Sequence, residues 1–159
     1  LLNVEEDAEA LVDGMDAKLE SLSDLKTKVS ARKLVALDYN SWGTSSGVET
    51  TWHAVLSAAG IENGSAAYEQ GAFGQVSMSK ELIVDINPDV LFLPGWIYGE
   101  ENAAATFYDQ VINDPALASV KAVQNGAIYQ IPERLRGTYS HYIIDTVAYL
   151  LGTVSTDID

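Results

Sequence analysis

Three short apolar runs constrain this chain more than any other feature. Leu34-Val35-Ala36-Leu37 lies between Lys33 and Asp38, Val90-Leu91-Phe92-Leu93 ends at Pro94-Gly95, and Ala127-Ile128-Tyr129-Gln130-Ile131 follows Asn125-Gly126. The first two show no alternation of apolar and polar residues, so they read as strands buried on both faces, the signature of a parallel sheet. Helix-length patterns separate the runs. Val48, Trp52, Leu56 and Ala59 mark a helix stopped by Gly60, with Ser46 and Glu49 at capping-box spacing near its start. Ser77 or Ser79 starts another, which must end before Pro88. Further helices are expected over about 101–112 and 139–151. Strands alternating with helices give an α/β fold, a three-layer arrangement around a mostly parallel open sheet. Residues 63–74 read as a loop with a short strand near Val76, and Asn125-Gly126 as a tight turn of hairpin type.

The amino-terminal segment has a different rhythm. Val4, Ala8, Leu11, Met15, Leu19, Leu22, Leu25 and Val29 step by threes and fours, which predicts one long amphipathic helix. At about 25 residues it would span almost 40 Å, long for a domain of this size and suited to a spine or connector. The chain opens on Leu1-Leu2-Asn3-Val4 without an initiator Met, and the expectation is a fragment of a longer protein.

Composition then removes whole classes of function. Nine Lys and Arg stand against 23 Asp and Glu, a net charge of −14 over 159 residues. That sign excludes phosphate-backbone binding, so no nucleic-acid partner is expected, and it opposes a polybasic membrane patch. There is no cysteine, hence no disulfide, thiolate metal site or cysteine nucleophile. No apolar run approaches the ~20 residues of a membrane span. His53 and His141, the only histidines, read as structural, and no metal site or resident cofactor is expected. Gly43-Thr44-Ser45-Ser46-Gly47 precedes a helix but lacks a P-loop Lys, and neither G-x-G-x-x-G nor G-x-S-x-G occurs. No carboxylate pair is singled out for acid–base work, so no catalytic residue is assigned and the chain is not expected to be an enzyme.

In an open parallel sheet, ligands bind beyond the carboxyl ends of the strands. The first run delivers Tyr39 and Trp42 there, the second Trp96 and Tyr98, and the third Arg134, Arg136 and Tyr139. Five of the nine basic residues precede position 34, which leaves Arg134 and Arg136 an isolated pair in an acidic body. Aromatic rings give broad contact with few rotors, and the arginine fork grips carboxylates, so this set marks a candidate site for a large, flat or anionic ligand. Each ring also has an ordinary explanation as loop packing, and each arginine as a surface ion pair with Glu133 or Asp145. Trp52, on an apolar helix face, reads as core.

The order of three segments resembles a known family. Leu56-Ser57-Ala58-Ala59-Gly60-Ile61-Glu62-Asn63 is similar to its "hydrophobic-x-x-A-G-G-x-N" helix end, with Ile61 in place of the second Gly. Ser79-Lys80-Glu81-Leu82-Ile83 followed by Asn87-Pro88-Asp89-Val90-Leu91-Phe92-Leu93 resembles its "S-x-E-x-x … N-P-D-strand" segment, and Ala122-Val123-Gln124-Asn125-Gly126-Ala127-Ile128-Tyr129 its "A-V-x-N-G-x-V-Y" segment. The family is the class III substrate-binding proteins of ABC importers, which deliver ferric siderophores, haem or cobalamin. The resemblance implies two α/β lobes joined by a rigid helix, with this chain supplying the end of that helix (1–30) and the carboxyl-terminal lobe (31–159). It implies an extracytoplasmic monomer, periplasmic or anchored as a lipoprotein. Its partners would be a metal-chelate small molecule carrying iron or cobalt, and a membrane permease. Trp42 matches a loop where the family places a ligand-facing aromatic. Glu49 matches an acidic position presented to the permease, a position that the capping box also explains. Arg134 and Arg136 match the site region by position and lean toward an anionic ligand. Two readings of another kind stay beside it: a small α/β hydrolase or transferase, and an interaction module with no small-molecule ligand.

Overall fold

The computed structural model describes residues 4–99, 101–136 and 138–156. The chain begins with helices α1 (Glu5–Ser21) and α2 (Ser23–Ala31), followed by strands β1 (Val35–Asp38) and β2 (Thr44–Ser46), helix α3 (Thr51–Ala59) and strand β3 (Glu62–Asn63). After a single 3₁₀ turn (Ala72–Gly74) come β4 (Gln75–Ser77), α4 (Lys80–Ile86), β5 (Val90–Pro94), α5 (Ala103–Ile112), α6 (Lys121–Gln124), β6 (Ile128–Ile131), α7 (Glu133–Arg136) and α8 (Ile143–Ser155).

The main sheet has four strands in the order β3-β1-β5-β6, every pair parallel. All its carboxyl ends therefore share one edge. Strand alternation sends successive side chains to opposite faces, and the apolar runs fill both. Ala36, Val90, Phe92 and Ile131 pack under α2, α3 and α8, with Val29, Leu56 and Leu150. Leu37, Leu91, Leu93 and Ile128 pack under α4, α5 and α6, with Ile83, Val111 and Ala122. The result is the expected three-layer α/β arrangement.

Four local expectations change. The long first helix is two helices: Leu22, at φ −93° and ψ −2°, turns its N–H to the carbonyl of Leu19, and α2 starts at Ser23. No residue of α1 is buried, whereas α2 anchors Val29 in the core. The Ser46–Glu49 capping box does not form. Thr50 caps α3 instead, accepting from the N–H of His53, because the Ser46 hydroxyl is engaged by Asp38. Asn125-Gly126 makes no hairpin: it closes α6, with Gly126 at φ +67°, and the strand that follows runs parallel to β5. Finally, the segment Asn40–Gly47 is not only turn. Its Thr44–Ser46 pairs antiparallel with Gln75–Ser77 as a two-stranded ribbon, Thr44 opposite Ser77 and Ser46 opposite Gln75. Ser79 caps α4 as expected, and Gly60 closes α3 in the left-handed region at φ +73°.

Candidate functional site

A cleft of about 610 Å³ opens at the carboxyl edge of the sheet. Its floor begins at Asp38, the last residue of β1, whose side chain is buried. The Asp38 carboxylate accepts the Ser45 hydroxyl at 2.9 Å and both the N–H and the hydroxyl of Ser46 at 2.8 Å. An acid at a strand end thus ties the ribbon to the sheet. The ribbon's alternation turns Thr44, Ser46 and Gln75 toward the cleft and buries Val76 on the other side.

Asn40 shapes the rim. Its side-chain oxygen accepts the N–H groups of Trp42 (3.0 Å) and Thr44 (3.3 Å), while its amide donates to the Thr44 hydroxyl at 2.8 Å. These bonds fix the backbone of the loop and leave the Trp42 ring 84% exposed. At the other end of the ribbon, Phe73 sits at φ +58° with its ring 95% exposed. A bulky residue in the left-handed region is an outlier, and such strain concentrates at binding sites. The next residue, Gly74, has φ +70° and lies so close to Thr50 that a Cβ would stand 3.0 Å from its methyl group.

The opposite wall comes from the segment after β6. Arg136, in α7, places a guanidinium nitrogen 3.6 Å from Asp38. Glu133 and the 83% exposed Tyr139 join it, and Glu49 closes the ribbon side. Glu49 is exposed, with its own N–H donated to the Gln70 side chain at 3.0 Å. Trp52 packs edge-on against Phe92 at 5.7 Å between centroids, in the core, yet it also lines the cleft. Its indole N–H is buried and has no partner among the described residues.

Of the expected site residues, the cleft gathers Trp42, Arg136, Tyr139 and Glu49. Tyr39 points to the other face of the sheet, because it follows Asp38 by one residue. There it lies 5.6 Å from Phe107 in a second depression with Lys80 and Asp114. Trp96 and Tyr98 meet each other edge-on at 6.2 Å in the loop after β5 and do not line the cleft. Arg134 is exposed and also lies outside the lining. The ion pairs differ from those expected: Arg136 faces Asp38, and Asp145 faces Lys18. Asn40 lies at the strand end where the sequence places it, while Asp38 and Phe73 are site residues that sequence reasoning missed. A carboxylate ending an apolar run was the available signal for Asp38; nothing local marks Phe73.

The histidines stand apart, His53 with Nδ1 3.4 Å from the Asn63 amide and His141 against Tyr142. Among the described residues no group of three or more such side chains is placed to hold a metal ion, and no helix is long and apolar enough to cross a membrane. The cleft is chemically a polar floor with one ion pair, rimmed by exposed aromatic rings.

A family model described as "Periplasmic binding protein" matches residues 1–135. No curated protein sequence is matched. Among solved structures, the fold is similar to a protein of an ABC-type Fe3+-hydroxamate transport system from Saccharomonospora viridis (21% identity, TM-score 0.73, covering 94% of this chain and 50% of that one). It is similar to the periplasmic haem-binding protein RhuT from Roseiflexus (19%, TM-score 0.76, 96% and 57%) and to CeuE from Helicobacter pylori (22%, TM-score 0.71, 92% and 44%). The chain spans about half the length of these structures.

Proposed function

This chain belongs to the periplasmic binding protein family, and from that premise we propose that it forms one wall of an extracytoplasmic receptor that captures a metal-chelate small molecule for an ABC importer. The observation that carries the proposal is the cleft rim: Trp42, Phe73 and Tyr139 are large rings left exposed, and the Trp42 loop is held in place by hydrogen bonds to Asn40. Burying such rings is favourable, so a soluble surface that holds them out is prepared for a partner. Two of the similar structures are described by their ligands, Fe3+-hydroxamate and haem, which favours an iron chelate here, with haem or cobalamin as the alternative.

In this reading residues 31–159 are the carboxyl-terminal lobe, residues 1–30 belong to the connection between lobes, and the second wall of the pocket lies in the other lobe. Capture needs no catalysis. The rings bind the chelate against a floor organised by the Asp38–Arg136 pair, and Glu49, free of any capping role, is the acidic group offered to a permease. Trp96, Tyr98 and Arg134 border the same edge and would meet ligand only when the second lobe closes.

Isothermal titration of the full-length protein with ferric hydroxamates, ferric catecholates, haem and cobalamin tests the proposal. Micromolar or tighter binding of one of them is expected. Failure of all four would reject the ligand assignment and favour an interaction module.

A further inference from the structure

We propose that this cleft selects a ligand of zero or positive net charge; the inference rests on the ligand-binding reading above and concerns the chemistry of that same site. The charged side chains that line the cleft are Asp38, Glu49, Glu133 and Arg136. Only Arg136 is positive, and it stands 3.6 Å from Asp38 with about a quarter of its side chain exposed. Asp38 cannot turn away, because three donors from Ser45 and Ser46 hold its carboxylate. An anion that reached the guanidinium would share it with a buried carboxylate that already offsets its charge.

The remaining charge has one sign. Glu49 and Glu133 are both exposed, and neither forms an ion pair among the described residues. The chain's field is negative as a whole, at −14. The rings of Trp42, Phe73 and Tyr139 present faces that attract cations. A cationic or uncharged chelate therefore meets compatible groups on this wall, whereas a multiply anionic one meets two uncompensated carboxylates. Sequence alone leans the other way, since Arg134 and Arg136 stand out there and the Asp38 that faces one of them does not.

The test is titration of the full-length protein with three ferric chelates of comparable size: a trihydroxamate with a free ammonium group (ferrioxamine B), an uncharged trihydroxamate (ferrichrome) and a tricatecholate trianion (ferric enterobactin). The first two are expected to bind at least about tenfold more tightly than the trianion. Raising salt weakens the cation's binding. Glu133→Gln narrows the gap by weakening the cation about threefold. A trianion that binds most tightly and is lost in Arg136→Gln overturns the inference while leaving the ligand-binding reading intact. Binding of none of the three, nor of haem or cobalamin, overturns both.

Discussion

The carboxylate of Asp38 holds Ser46 twice, accepting its backbone N–H and its hydroxyl, each at 2.8 Å. With the Ser45 hydroxyl and the Arg136 guanidinium added, one buried side chain joins β1, the ribbon and α7. Asp38→Ala leaves those donors unsatisfied and is expected to cost roughly 2–4 kcal/mol. Asp38→Asn keeps an acceptor and costs about 1–2 kcal/mol. Urea denaturation measures both, and an alanine variant within about 0.5 kcal/mol of wild type would show that the carboxylate does not organise the site.

Trp42 separates binding from stability. Its ring is 84% exposed and its loop is held through backbone bonds to Asn40, so Trp42→Ala should change stability by less than about 0.5 kcal/mol. An aromatic anchor of a ligand site carries more than that, and chelate affinity should fall by roughly 1–3 kcal/mol. Thermal unfolding and titration calorimetry report the two effects separately; unchanged affinity would remove Trp42 from the site.

Phe73 should behave in the opposite manner to a packed residue. At φ +58° and 95% exposure it bears backbone strain and gains almost nothing from burial. Phe73→Gly relieves the strain at some entropic cost, so a net gain of about 0–1 kcal/mol is expected, together with weaker chelate binding. A loss of stability above about 1 kcal/mol would mean that the ring is structural after all.

Lys80 and Asp114 lie 2.6 Å apart on the other side of the sheet. The hydrogen bond from Lys80 lowers the Asp114 carboxyl from its ordinary 3.8, assisted by the N–H of Ala116. The same hydrogen bond raises the Lys80 ammonium above 10.5. A lowered carboxyl contributes stability that is complete above its ordinary value and is lost as pH falls through the folded one; a raised ammonium's contribution is complete below 10.5 and is lost on going higher. Glu81 is lowered too, first by its own backbone N–H and then by the Ser79 hydroxyl, and it adds to the acid side. Asp114→Asn should shrink the stability loss below pH 3.8 and leave the slope near neutrality unchanged. Denaturation midpoints from pH 2 to 7 check this; an identical acid limb in the variant would refute it.

What the sequence disclosed followed from strength of pattern. The runs at Leu34–Leu37 and Val90–Leu93 are apolar because both sheet faces are covered, and so short and unbroken a run reads as a buried strand. Strands such as Thr44–Ser46 and Glu62–Asn63 escaped because they are brief and polar, and their pairing is visible only once their partners are placed. Asn125-Gly126 misled because a glycine at positive φ serves a helix end as readily as a hairpin. Ser46 and Glu49 matched a helix cap by spacing, but Asp38 competes for the serine. In the site, Trp42, Arg136 and Tyr139 could be assigned to one edge from topology. Tyr39 could not share their cleft, since neighbouring strand residues point apart, and that period of two was already in the sequence. Which carboxylate faces Arg136 is a long-range matter that no local pattern encodes.

The ribbon of Thr44–Ser46 and Gln75–Ser77 stands outside the four-stranded sheet, and most of the cleft's floor and rim is carried on it or on the loops at its ends. Substitutions there leave the two apolar layers untouched, apart from Val76 and the Asp38 tether. Selection on ligand choice and selection on folding thus act on largely separate sets of positions. On the proposed reading, one cargo could be exchanged for another through a handful of ribbon and loop changes, without compensating changes in the core.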